Sequence, residues 1–138
     1  MRVLLWIWLR HVPRQLKPFL LYFLNARFTV TVAAIIQDDE GRLLLLDHSY
    51  RSGSTWAIPA GFVLWRENPE VAIVREVREE TGWNIAVERL LRAIPDAGVP
   101  NGMRLFYRAR IVSGDFRPSP EVRGYRWEEQ ATMGRFLR

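Results

Sequence analysis

Glu76, Glu79 and Glu80 stand at i, i+3 and i+4, a spacing that gathers three carboxylates on one face of a helix. Crowded acids repel one another. Two readings meet that fact: a solvated acidic surface, or a site for a hard divalent cation. Mg²⁺ and Mn²⁺ take oxygen ligands, and such an ion would relieve the repulsion. The three carboxylates alone do not choose between the two.

A helix must carry them, and its ends are marked. Asn68 can cap, and Pro69 takes the first helical position, where a missing N–H costs nothing. Gly82 follows the last turn as a left-handed C′ residue. Ile73, Val74 and Val77 lie away from the acids and can face a core.

The residues around this helix sharpen the reading. Gly61, five residues, Glu67, seven residues, then Arg75-Glu76-Val77-Arg78-Glu79-Glu80-Thr81-Gly82-Trp83 resembles the signature of the Nudix hydrolases at every fixed position. Weaker similarity in layout extends from about Phe28 to Trp127. The resemblance implies an α/β fold, an α/β/α sandwich with a central mixed β-sheet, here with an N-terminal helical extension. It implies hydrolysis of a nucleoside diphosphate linked to another group, water attacking phosphorus with Mg²⁺ or Mn²⁺ as cofactor. By the same resemblance Glu76, Glu79 and Glu80 are the principal metal ligands. Glu67 is a further ligand or acts through water. The lead-in Trp56-Ala57-Ile58-Pro59-Ala60-Gly61 offers the Ala60 carbonyl as another, alanine standing where many relatives have glycine.

Arg75 is next to Glu76 and four residues before Glu79. A guanidinium fork there suits the holding of carboxylates better than the clamping of substrate. The general base is left open between Glu79 or Glu80 beside the metal and Glu121, which follows Arg117-Pro118-Ser119-Pro120 and stands six residues before Trp127. Leu64 and Arg66 depart from the glutamate and glycine common in the family. They leave hydrolysis intact and alter the loop before Glu67. Arg66 either reaches a phosphate or is solvated. Tyr50 and Arg51, in the polar loop 48–55, are further candidates for substrate contact. Phe28, Phe106 and Tyr107 join Tyr50 as possible stacking partners for a base, each against the alternative of ordinary packing.

The substrate is bounded more than named. The extended motif of the NADH pyrophosphatases is missing, as is a tyrosine 16 to 18 residues past the box. Nucleotide sugars, ADP-ribose-like compounds and nucleoside triphosphates stand first. A housecleaning pyrophosphatase for damaged nucleotides is the alternative enzyme. A sensor that binds nucleotides without cleaving them is the alternative class, though it would be expected to lose box carboxylates that this chain keeps.

Composition sets outer limits. The 138 residues are 49% hydrophobic and 12% aromatic, enough for one folded core. There is no cysteine, which excludes disulfides and cysteine zinc sites. His11 and His48 are too few for a metal cluster and read as surface or structural residues. The net charge of +5 resides in residues 1–27, which hold Arg2, Arg10, Arg14, Lys17 and Arg27 and no acid. Basicity is therefore no sign of a nucleic-acid face across the domain. Residues 1–27 read as a basic, apolar extension and 28–138 as the hydrolase domain. Two short helices are expected in the extension, broken near Pro13 and Pro18. They pack on the sheet or on a second copy in a homodimer, or residues 1–24 lie on a lipid surface. Neither apolar run, 3–9 or 19–24, reaches the ~18 residues of a membrane span, so a cytoplasmic location, free or at a membrane periphery, is expected.

The remaining pattern predicts strands at 28–36, 42–47, 84–94, 103–112 and 121–127, with a turn at 38–41 making the first two a hairpin. A short helix is expected over 128–137.

Overall fold

The computed structural model of the chain describes residues 12–24 and 27–129. Among them are helix α1 (Lys17–Leu24), strands β1 (Thr29–Ile36), β2 (Leu43–His48), β3 (Trp56–Ala57) and β4 (Ala60–Phe62), helix α2 (Pro69–Thr81), and strands β5 (Asn84–Asp96), β6 (Gly102–Ser113) and β7 (Val122–Glu128). They form a mixed four-stranded sheet of order β4-β1-β6-β5 and an antiparallel three-stranded sheet of order β3-β2-β7. The architecture is the expected α/β fold around a mixed sheet.

β1 reads as β-branched and apolar without alternation because both of its faces are covered. It pairs antiparallel with β4 and parallel with β6. Val32, Ala34 and Ile36 join one core with Leu44, Leu46, Ile73 and Val77. Ala33 and Ile35 join a second core with Leu43, Leu45 and Phe106. Helix α2 covers the first core with Ala72, Ile73 and Val77, all fully buried.

Two expectations are corrected. β1 and β2 do not form a hairpin. They enter different sheets, joined by one bridge between Gln37 and Leu43 and by the Asp38 turn, where the Asp38 amide donates to the Arg42 carbonyl. β1 has already spent both edges on β4 and β6, so β2 pairs elsewhere. Pro18 does not break a helix; it lies in the first turn of α1, where no intrahelical donor is needed. α2 is the one long helix among the described residues. The apolar run 3–9 and nearly all of the helix expected at 128–137 lie outside the described residues. No described helix is long and apolar enough to cross a membrane.

The ends of α2 follow the sequence signals. Asn68 is extended and its side chain accepts from the Glu70 amide at 2.8 Å, with Pro69 at the start. Gly82 is left-handed at φ 80°, and its amide donates to the Arg78 carbonyl at 2.9 Å. A Cβ on Gly82 would also stand 2.7 Å from the Asp115 carbonyl oxygen, a backbone atom with little room to move. Gly82→Ala should therefore cost about 1–3 kcal/mol of stability, read by urea denaturation, with a change under about 0.5 kcal/mol counting against this account.

Candidate active site

The three box carboxylates do not share one environment. Ile73, Val77 and Glu80 follow one another at i, i+4 and i+7, so Glu80 extends the buried stripe of α2. Its side chain is 3% exposed, Glu76 is half-buried at 17%, and Glu79 is open at 62%. Burial pushes the Glu80 carboxyl up to about 8, with the charges of Glu76, Glu121 and Glu79 adding to the shift. Its Oε2 has no hydrogen-bond partner.

Arg75 ties the rest together. Its Nε donates to Glu67 Oε1 at 2.8 Å and its Nη2 to Glu67 Oε2 at 3.0 Å. Nη1 reaches Glu76 Oε1 at 2.8 Å and Glu79 Oε2 at 3.3 Å, and Nη2 also donates to the Phe62 carbonyl at 2.9 Å. One guanidinium thus fixes three carboxylates and the end of β4. Glu67 Oε2 further accepts from the Leu64 amide at 2.8 Å. Both oxygens of Glu67 are engaged, and Arg75 first, then the Leu64 amide, holds its carboxyl down at about 2.

Gly61 explains itself by contact. A Cβ at this position would overlap Cγ and Cδ of Glu76. Only a glycine lets β4 lie this close to the carboxylate. Gly61→Ala should push Glu76 off its Arg75 bridge and lower kcat about 10–100-fold with little change in Tm, because the displaced group is a half-exposed side chain. An unchanged kcat would contradict that placement.

Glu121 joins the group. Together with Ser119 and Pro120 it lines a cleft of about 170 Å³ whose other wall is Glu76, Glu79 and Glu80. The loop is held by the Ser49 amide donating to the Glu121 carbonyl at 2.8 Å and by Ser49 Oγ donating to the Pro120 carbonyl at 2.7 Å. Among the described residues no three Asp, Glu, His or Cys side chains are arranged to grip an ion as they stand. Arg75 draws Glu76 and Glu79 to itself, and the Glu80 side chain is buried in the cleft wall. The donor set nevertheless fits a hard divalent cation. Four carboxylates meet at one cleft, and a buried carboxylate oxygen there lacks any partner.

A second cleft, of about 310 Å³, includes Ala60, Gly61 and Phe62 of β4 in its wall. It brings Tyr50 and Arg51 together, as expected, with Phe62 and Arg104. Arg66 does not join them. It is left-handed at φ 61°, and its guanidinium sits 6.0 Å from the Trp65 ring centroid, lining neither cleft. Phe28 is exposed, and Phe106 and Tyr107 are core residues.

Two residues near the site carried no local signal. His48 is 1% exposed, and its Nδ1 stands 3.8 Å from Glu80 Oε1 without a hydrogen-bond partner. Burial and the nearby Arg51 charge lower its pKa, so the ring is neutral at pH 7. Arg104 reaches its cleft from β6, far from the box in sequence.

Residues 27–134 match the NUDIX domain. The chain is 40% identical over 114 residues to an ADP-ribose pyrophosphatase of Methanocaldococcus jannaschii, covering 80% of this chain and 65% of that protein. It is 31% identical over 101 residues to a MutT-like protein of Streptomyces ambofaciens, covering 72% and 62%. The chain spans less than two thirds of the length of either relative. Its fold superimposes on the crystal structure of the MutT protein from Methanosarcina mazei Go1 with a TM-score of 0.65 at 25% identity, covering 80% of this chain and 84% of that one. With the glycine, glutamates and arginine of the box set in one connected network on α2, the chain belongs to the NUDIX family.

Proposed function

We propose that this chain hydrolyses the pyrophosphate bond of a nucleoside diphosphate linked to another group, with Mg²⁺ or Mn²⁺ as cofactor. The observation that carries the reading is the carboxylate cleft of Glu76, Glu79, Glu80 and Glu121, in one domain with a cleft holding two arginines and two aromatic rings. The first suits a cation and the second an anionic, planar ligand. The 40% identity to an ADP-ribose pyrophosphatase points the same way.

Glu76, Glu79 and Glu80 would hold the ion, with Glu67 behind them. When bound it supplies positive charge for the phosphoryl oxygens and a more acidic water. Arg75 keeps Glu67, Glu76 and Glu79 in place by four hydrogen bonds. Water attacks phosphorus, the bond from that phosphorus to the bridging oxygen breaks, and the proton from water passes to a carboxylate of the cleft. Glu121 and Glu79 are the open candidates, since Glu80 is buried and Glu67 is fully engaged. Tyr50 and Phe62 flank the nucleoside, and Arg51 offers its charge to the substrate.

In this reading residues 28–138 are the hydrolase domain and 1–27 a basic extension. On α1, Phe19 and Tyr22 are exposed. They could seat on an anionic lipid surface. Equal pelleting with anionic vesicles of the full chain and of a 1–25 deletion would remove that role.

The function is tested by fragment release from nucleotide sugars, ADP-ribose, nucleoside triphosphates and dinucleoside polyphosphates with Mg²⁺. Turnover of at least one class, each event giving two phosphorylated products, is expected. Binding without cleavage across the set would leave a sensor instead.

A further inference from the structure

The charged groups on the second cleft are both arginines, Arg51 and Arg104. Arg104 lines it and is held from behind. Its Nε and Nη2 both donate to Asp96 Oδ2, at 3.0 and 2.7 Å. Thr31 Oγ1 donates to the same oxygen at 2.7 Å, and Asp96 Oδ1 accepts from the Gly98 amide at 3.0 Å. Asp96 is buried, so this network fixes the guanidinium plane instead of leaving it to solvent. Two of the five N–H donors of Arg104 are then spent and three remain. The Thr31 hydroxyl donates to Asp96, and its oxygen in turn accepts from the Arg104 Nε at 3.3 Å. Arg51 has donors only. The two charged side chains that line this cleft, Arg51 and Arg104, are therefore both donors.

Tyr50 and Phe62, both more than half exposed, give the cleft two rings for a flat ligand. A flat ligand that meets a fixed guanidinium must present acceptors. Guanine and hypoxanthine carry O6 and N7 side by side, the pair an arginine fork bonds at two points. Adenine carries N7 beside an amino group, whose hydrogens would face the arginine N–H groups. Leaving such donors unpaired is what makes discrimination large.

We propose that Arg104, oriented by Asp96 and Thr31, makes this cleft selective for 6-oxopurine nucleotides over adenine nucleotides. The proposal rests on the assignment of this cleft to the nucleoside, and it runs against a simple transfer of ADP-ribose specificity from a relative.

The test is equilibrium binding of GMP, IMP and AMP, which differ at the base and require no turnover. It uses the full chain with Mg²⁺, in wild type, Arg104→Gln and Arg104→Lys. The lysine variant keeps a charge beside Asp96 and loses the fork, so it serves if the glutamine variant unfolds. GMP and IMP should bind at least about 10-fold tighter than AMP in the wild type. Either variant should bring the three within about 3-fold of one another. Equal affinities in the wild type, tighter AMP, no binding of any of the three, or a preference that survives in both variants would each overturn the proposal. Hydrolysis of the substrate panel by a protein with no such preference would sink the selectivity and keep the hydrolase. A preference for GMP and IMP without any turnover would do the reverse.

Discussion

Replacing Glu80 by glutamine is expected to stabilise the metal-free protein at pH 8 while removing its turnover. The first half follows from burial. The Glu80 carboxyl stands at about 8 in the folded chain against 4.5 unfolded. Between those values the native state holds a proton that the unfolded chain has released. Stability therefore falls as pH rises through this window, by about 1.4 kcal/mol per pH unit for one such group. His48 acts with the opposite sign below its ordinary value of 6.5, because its folded pKa is lowered and the unfolded chain binds the proton more readily. That contribution is lost as pH falls, so the range from 6.5 to 8 isolates Glu80. Glutamine has the same shape and no charge. In EDTA, Glu80→Gln should have a flat Tm across pH 6.5–8 where the wild type declines, with a difference on the order of a few kcal/mol at the top of the range. Turnover should fall on the order of 100-fold or more, since on the proposed reading glutamine removes a carboxylate oxygen and the charge that would hold the cation. A wild-type Tm that is level from pH 6.5 to 8 in EDTA would contradict the buried, protonated carboxyl.

Arg75→Gln is expected to cost about 10–100-fold in kcat, and Arg75→Lys should recover little of it. Arg75 makes two bonds to Glu67, one each to Glu76 and Glu79, and one to the Phe62 carbonyl. An ammonium has three donors on a single atom and cannot span four partners. KM for the nucleotide should change much less than kcat, because on the proposed reading the arginine positions ligands of the cation and meets the second cleft only at the Phe62 main chain. The acid side gives an independent readout. Glu67 is depressed to about 2 by Arg75 and the Leu64 amide, so its contribution to stability is present above its unfolded value and is lost as pH falls toward 2. The wild type should lose Tm between pH 4.5 and 2 more steeply than Arg75→Gln. Parallel acid profiles, or full activity in the lysine variant, would show that Arg75 is an ordinary surface charge.

What could be read from sequence was local. Asn68, Pro69 and Gly82 mark α2 because caps act within a turn, and the structure ends the helix where they stand. The carboxylates, Arg75 and Glu67 lie within fourteen residues and were legible as one group. The unequal burial of Glu80 was written in the spacing Ile73, Val77, Glu80, which competes with the acidic face shared with Glu76 and Glu79. Pairing was not legible. Asp38-Asp39-Glu40-Gly41 looks like a hairpin turn, yet the partners of β1 are β4 and β6, set by contacts far along the chain. The same distance hid the Arg104 network, whose members Thr31, Asp96 and Arg104 come from three strands. His48 is brought beside Glu80 by the β2 register alone.

The central claim is that the carboxylate cleft holds a divalent cation that hydrolysis needs. Mn²⁺ binding, followed by electron paramagnetic resonance in the wild type and in the Glu79→Gln, Glu80→Gln double variant, tests it most directly when turnover is measured on the same samples. The account predicts that the wild type takes up Mn²⁺ and turns over, that EDTA abolishes both, and that the folded double variant has lost both. Undiminished Mn²⁺ binding in the double variant, or turnover that survives EDTA, would contradict it.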